Sequence, residues 1–72
     1  MDIVSEFNKN SVEIVKISIQ EFNGNPYVDA RIWILNNPGE PGSEVPTKKG
    51  ICIAADLLPT LIKALQSAQD KL

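Results

Sequence analysis

Two stretches of this sequence carry aromatic and basic side chains at alternate positions. Tyr27, Arg31 and Trp33 do so in one stretch, and Lys16 and Phe22 in the stretch before it. A ring can stack on an unpaired base for roughly 1–3 kcal/mol, while a cation neutralises a neighbouring phosphate. Such residues on one surface indicate binding of single-stranded nucleic acid, because a duplex leaves no base face free.

The same alternation has a second interpretation. Any antiparallel sheet with one solvated face has polar residues at alternate positions. On that view Trp33 or Tyr27 shields a strand or packs in a dimer interface. The pattern alone leaves both interpretations open.

Two adjacent lysines before a glycine, Lys48, Lys49 and Gly50, form a second candidate binding feature. The lysines either contact phosphate or mark the solvated end of a loop. Gly50 either admits a close approach of backbone or ligand, or marks a β-bulge.

Residues suited to catalysis are few. The sequence has no histidine, its carboxylates are scattered, and it has neither a glycine-rich phosphate loop nor metal-ligand spacing. Its one cysteine, Cys52, has no evident activating partner. We therefore expect no enzyme activity, no cofactor and no metal. A net charge of −2 also argues against a general polyanion binder, unless the few basic residues gather on one face.

The length of 72 residues leaves room for one domain, spanning residues 1–72, and such a domain buries only about 60% of its unfolded surface. Without a disulfide or a zinc site, association into a homodimer is the remaining common route to stability. The first residues lack signal-peptide features, and no apolar run reaches membrane-spanning length. We expect an intracellular protein without membrane contact, in the cytoplasm or, in a bacterium, the nucleoid.

Hydrophobic periodicity predicts several strands followed by one helix. Alternation is clearest before and after a cluster of turn-forming residues, which indicates a β-hairpin. The predicted elements are strands at residues 13–22, 27–35 and 48–54, an edge strand at 3–8, turns at 9–11 and 23–26, and a polar loop at 36–47. This order predicts an α+β fold, in which an antiparallel sheet is covered on one face by a C-terminal helix.

The amphipathic helix is predicted to start near Asp56 as N-cap, which leaves Pro59 in the first turn. Its apolar stripe is broader than a small sheet needs, so part of it is predicted to contact a second copy of the chain. The predicted dimer residues are Leu58, Leu61, Ile62 and Leu65.

The alternation also divides the sheet residues between two faces. An aliphatic set is predicted to form the core beneath the helix: Val15, Ile17, Ile19, Val28, Ala30, Ile32, Ile34, Ile51 and Ile53. The opposite face is predicted to hold Lys16, Ser18, Gln20, Phe22, Tyr27, Asp29, Arg31, Trp33, Lys48, Gly50 and Cys52.

Three short segments, at residues 17–24, 27–33 and 46–51, resemble the transcriptional coactivator family of positive cofactor four. The resemblance extends over about residues 15–72, including the terminal amphipathic helix. It implies a curved antiparallel sheet of four strands followed by a helix, a dimer formed through the helices, and sheet surfaces that bind single-stranded DNA. By position, Phe22 resembles the family's base-stacking aromatic, and Arg31 and Trp33 resemble its strand contacts. Lys48, Lys49 and Gly50 resemble its basic contact at the last strand.

The resulting expectation is a homodimer that binds single-stranded DNA with little sequence preference, in transcription regulation, replication or repair. RNA is an alternative ligand, and the transcription machinery is a further partner that the family suggests. The competing expectation is a protein-interaction module that keeps the fold but binds nucleic acid weakly or not at all.

Overall fold

Four strands form one open antiparallel sheet, in which strands adjacent in sequence are adjacent in space. A computed structural model describes residues 2–35 and 42–72. Its elements are β1 (Asp2–Asn8), β2 (Glu13–Phe22), β3 (Asn25–Leu35), β4 (Glu44–Ala54), a 3₁₀ turn (Ala55–Leu57) and α1 (Leu58–Asp70). The predicted α+β class, the edge strand and the single C-terminal helix are confirmed.

The hairpin between β2 and β3 turns in two residues instead of the predicted four. Asn23 and Gly24 both have positive φ, 53° and 79°, which suits a tight hairpin turn. Pro26 consequently lies within β3, paired with Glu21. The pair next to the turn is hydrogen-bonded, so in the following pair the proline nitrogen faces away from β2. On its other side β4 has already ended, opposite Tyr27. The missing N–H of Pro26 therefore costs no hydrogen bond in the sheet.

Strand β4 starts at Glu44, so the predicted loop is wrong for residues 44–47. Residues 36–41 of that predicted loop lie outside the described residues. Pro46 is tolerated because β4 is an edge strand. The pairing with β3 is irregular between Arg31, which pairs with Gly50, and Trp33, which pairs with Pro46. Because a proline and a bulge interrupt the alternation of apolar and polar residues, the sequence pattern does not predict this part of the strand.

The helix begins later than predicted, and Asp56 is not its N-cap. Asp56 lies in the 3₁₀ turn, Leu57 occupies the N-cap position, and no side chain caps the helix. Pro59 lies in the first turn as expected, since that turn needs no N–H from it. Within the described ranges, no helix has the length and apolar character to cross a membrane.

Apart from Lys48, which lies in the irregular part of β4, the predicted residues lie on the predicted sheet faces. Their burial is the reverse of what we expected. The aliphatic set, here called the apolar face, is not a buried core in the single chain: Ile19 is 46% and Ile51 48% exposed. Helix α1 contributes no buried residue and barely contacts the strands. The most buried side chains in the described part of the chain lie on the opposite, polar face: Ile14, Lys16, Ser18 and Asp29.

Candidate functional site

Strand register brings six of the eight predicted binding residues onto one surface, and the other two, Lys48 and Lys49, lie in the irregular part of β4 beside it. Lys16 pairs with Arg31 across β2 and β3, and Arg31 pairs with Gly50 across β3 and β4. Directly opposite residues of antiparallel strands point to the same face. We call this surface the polar face: Lys16, Ser18, Gln20, Phe22, Tyr27, Asp29, Arg31, Trp33, Gly50 and Cys52.

The hairpin end of the polar face contains an open groove of about 320 Å³, lined by Gln20, Phe22, Tyr27 and Cys52. We call it the aromatic groove. Phe22 is 67% exposed although it is a large apolar side chain. Two rings beside an open apolar groove can accept a flat base by stacking. Gln20 and Cys52 were not among the predicted binding residues, although their positions in the alternation place them on this face.

Lys16, by contrast, lies beneath its neighbours, with a side chain only 10% exposed. Its ammonium sits 4.5 Å from the centroid of the Trp33 ring, a cation–π distance. It is also 3.9 Å from a carboxylate oxygen of Glu6 and 3.9 Å from one of Glu44. The charge of Lys16 is therefore already met by two acids, which the sequence places far from it.

Arg31 is likewise paired within the protein. Its Nε and Nη2 donate to the two carboxylate oxygens of Asp29, at 3.2 and 2.8 Å. Its Nη1 donates to the main-chain carbonyl of Thr47 at 2.9 Å. The hydrogen bond that Arg31 donates to Asp29 raises the pKa of Arg31, so the guanidinium stays charged. Arg31 thus links β3 to the irregular part of β4.

That irregular part, residues 47–49, is here called the basic bulge. The Thr47 hydroxyl donates to the carbonyl of Ile32 at 2.8 Å and accepts from the amide of Lys49 at 3.2 Å. Gly50 follows at a close approach of two strands, because a Cβ there would lie 2.5 Å from the carbonyl oxygen of Ala30. Of the two roles left open for Gly50, close backbone approach is therefore the one that applies, and it lies beside a bulge.

Lys48 and Lys49 are exposed, and neither forms an ion pair with another described residue. Lys49 acts at longer range on Glu13. The pKa of Glu13 is lowered chiefly by a hydrogen bond from Asn10, with smaller contributions from Lys9 and Lys49. Of the predicted cations, these two lysines are the ones with charge left for a ligand.

The predicted dimer residues form a partly exposed stripe on α1. Leu58 and Leu61 are half-buried, whereas Ile62 is 45% and Leu65 60% exposed. Within the single chain, α1 itself barely contacts the strands.

Comparisons with solved structures identify the fold. A PC4 homologue from Burkholderia pseudomallei matches with a TM-score of 0.83 and 29% sequence identity, covering 94% of this chain and 96% of that one. A bacteriophage T5 homologue of the eukaryotic transcription coactivator PC4 matches with a TM-score of 0.65 and 29% identity. That match covers 88% of this chain and 70% of the phage chain. The phage protein is described as implicated in recombination-dependent DNA replication.

Comparison with protein families points the same way, although a search of curated proteins found no match. The profile of the family described as Transcriptional Coactivator p15 (PC4) matches residues 9–64. That range holds β2, β3, β4 and the start of α1, including every predicted binding residue. The resemblance seen in the sequence is confirmed, and the chain belongs to the PC4 family of transcriptional coactivators.

Proposed function

We propose that this protein is a homodimer that binds single-stranded DNA through the polar face, with little dependence on base sequence. The observation that carries the proposal is the aromatic groove, with its exposed Phe22, on the sheet that also carries the basic bulge. Membership of a coactivator family supports a role in transcription regulation. The phage relative's link to DNA replication supports a role in replication or repair.

In the proposed mode of binding, bases stack on Phe22 and Tyr27 while the phosphates pass Lys48 and Lys49. Every base has a π-face, so stacking tolerates any sequence, whereas the phosphate contacts make affinity fall with salt. Of the remaining proposed contacts, Arg31 and Gly50 form the strand pair between these two features. Lys16 lies opposite Arg31 on β2, and Trp33 lies beyond the bulge, opposite Pro46. Binding of this kind needs neither catalysis nor a cofactor.

The homodimer part of the proposal is supported by the surface of the single chain. Its accessible surface is 5551 Å², whereas a compact monomer of this mass exposes about 4,400 Å². The difference, about 1,100 Å², is more than the roughly 800 Å² that each partner buries in a typical stable interface. A second copy that covers the apolar face and the α1 stripe would remove this excess.

The proposal assigns this function to one domain over residues 1–72, working where DNA is found, in the cytoplasm or the nucleoid of a bacterial cell. The transcription machinery is a proposed further partner on the strength of family membership.

A protein-interaction module is the second candidate, and one observation favours it. Lys16 and Arg31, the two cations within the sheet, are each paired with acidic residues. With a net charge of −2, such a surface attracts phosphates less than an unpaired basic surface would. The aromatic groove would then receive an apolar side chain of a protein partner.

Fluorescence of Trp33, the single tryptophan, separates the candidates. Oligo-dT, oligo-rU and a duplex of matching length are titrated into the protein at low salt. Quenching by oligo-dT but not by the duplex supports the proposed function, and equal quenching by oligo-rU extends it to RNA. If all three leave the emission unchanged and anisotropy of labelled strands shows no binding, the protein-interaction function replaces it.

A further inference from the structure

We propose that Thr47 is a positioning residue, which acts with Arg31 and Asp29 to fix the basic bulge so that Lys48 and Lys49 are held ready for phosphate. This inference rests on the proposed function and gives a role in it to Thr47 and Asp29, which are not among the proposed DNA contacts. Thr47 was not among the residues predicted from the sequence, because a threonine in a proline-rich segment carries no functional signal.

The first support is the fixed guanidinium. Asp29 is a buried carboxylate, with a side chain only 4% exposed, and it holds Arg31 through two hydrogen bonds. Paired, planar contacts of this kind fix the orientation of a guanidinium as well as its position. The remaining Nη1 group is thereby aimed at the carbonyl of Thr47, which anchors the start of the bulge to β3.

The second support is the Thr47 hydroxyl, which bonds on both sides. It donates to Ile32 on the neighbouring strand and accepts from Lys49 within the bulge. Ile32 lies between Arg31 and Trp33, where the regular pairing with β4 is interrupted. Main-chain groups left by such an interruption need other partners. The hydroxyl is the partner of two such groups, the Ile32 carbonyl and the Lys49 amide. It therefore connects both ends of the bulge through one oxygen atom.

The third support is that the register between β3 and β4 is fixed on both sides of the bulge. Any side chain at Gly50 would meet Ala30 and the Cα of Arg31, at 2.5 and 2.8 Å, so the pair Gly50–Arg31 admits no bulkier residue. On the other side, Pro46 pairs with Trp33. The three residues of the bulge are therefore confined between two fixed pairs. A ligand that binds lysines on a confined backbone loses less conformational entropy than one that must order a loop.

The test replaces Thr47 with valine, which keeps the shape and removes the hydroxyl, and with serine, which restores it. Thr60→Val, on the exposed first turn of α1, is the matched control. We expect T47V to bind oligo-dT several-fold more weakly and to have a shallower salt dependence, by about 0.7 in log K against log salt for each phosphate that the lysines no longer neutralise. T47S and T60V should both behave like the unchanged protein.

A second measurement keeps this inference separate from the proposed function. Hydrogen exchange of the Lys49 amide should accelerate in T47V but not in T47S, because that amide loses its acceptor. Unchanged exchange in T47V overturns the positioning role whether or not DNA binds. Faster exchange with unchanged affinity and salt slope also overturns it. Absence of oligo-dT binding by the unmodified protein overturns the proposed function, and the positioning of Lys48 and Lys49 for phosphate with it, while the exchange data still report on the bulge.

Discussion

Lys16 lies under the ring of Trp33, with its ammonium 4.5 Å from the ring centroid, and is flanked by two carboxylates. Two features of the polar face follow from this contact. Trp33 has a cation on one side of its ring, so a base would use the opposite side. The charge of Lys16 acts on a ligand only in part, since Glu6 approaches it from β1 and Glu44 from β4.

Removing those two acids is therefore expected to strengthen DNA binding. In Glu6→Gln/Glu44→Gln, Lys16 keeps its contact with the Trp33 ring but loses its competing anions. We expect several-fold tighter binding to oligo-dT at low salt and a steeper salt dependence, by about 0.7 in log K against log salt if one more phosphate is neutralised. Anisotropy of labelled oligo-dT at several salt concentrations measures both.

A matched control for that variant has the same net charge. Glu21→Gln/Asp70→Asn removes two exposed acids that form no ion pair with another described residue. Equal strengthening in both variants would mean that net charge alone controls affinity and that pairing of Lys16 has no effect.

The turn between β1 and β2 gives a prediction for pH. Asn10 accepts from the amides of Val12 and Glu13 and donates to the Glu13 carboxylate at 2.7 Å. This last bond is the main reason that the pKa of Glu13 lies below its ordinary value of 4.5. A carboxyl with a lowered pKa stabilises the folded state above the unfolded pKa, and the contribution disappears as pH falls through the folded value.

Asn10→Ala should therefore raise the pKa of Glu13 towards 4.5 and remove its share of stability above that pH. An NMR titration of the Glu13 side chain measures the shift. Lys49→Met, which removes a single and smaller contribution, should raise the pKa less. A larger shift in the lysine variant would contradict the assigned cause.

Helix α1 gives a prediction for assembly. Ile62→Glu/Leu65→Glu puts two charges on the exposed apolar stripe, which would be costly to bury in an interface. We expect a dimer for the unmodified protein and a monomer for this variant in sedimentation velocity at micromolar concentration. Ser67→Glu, a change to an exposed residue outside the stripe, should remain dimeric. A monomeric unmodified protein would refute the homodimer.

Much of the fold follows from alternation and turn chemistry. Strand β2 has the predicted bounds, because Val15, Ile17 and Ile19 alternate with polar residues without interruption. The start of β4 was missed, since Pro46 and a bulge break the period there. The helix start was placed too early because a 3₁₀ turn and an α-helix begin with the same residue types, and Asp56 suits either.

The sequence predicts which residues share the face of the candidate site, but not which face is covered or which distant residues pair with the cations. Alternation shows which residues share a face, so Phe22, Tyr27, Arg31 and Trp33 were grouped correctly. It does not show which face is covered, and the apolar face stays open in the single chain. Contacts between distant segments, such as Glu44 with Lys16, depend on strand register and had no local signal.

The proposed function depends above all on base stacking in the aromatic groove, and oligo-dT binding by Phe22→Ala is the sharpest test of it. Phe22 is 67% exposed, so its removal should leave the melting temperature nearly unchanged. Losing one stacked base costs roughly 1–3 kcal/mol. We predict salt-sensitive binding of oligo-dT by the unmodified protein and a loss of affinity of that size in the variant. Equal affinity of the two proteins, or no binding by either at low salt, would contradict the proposal.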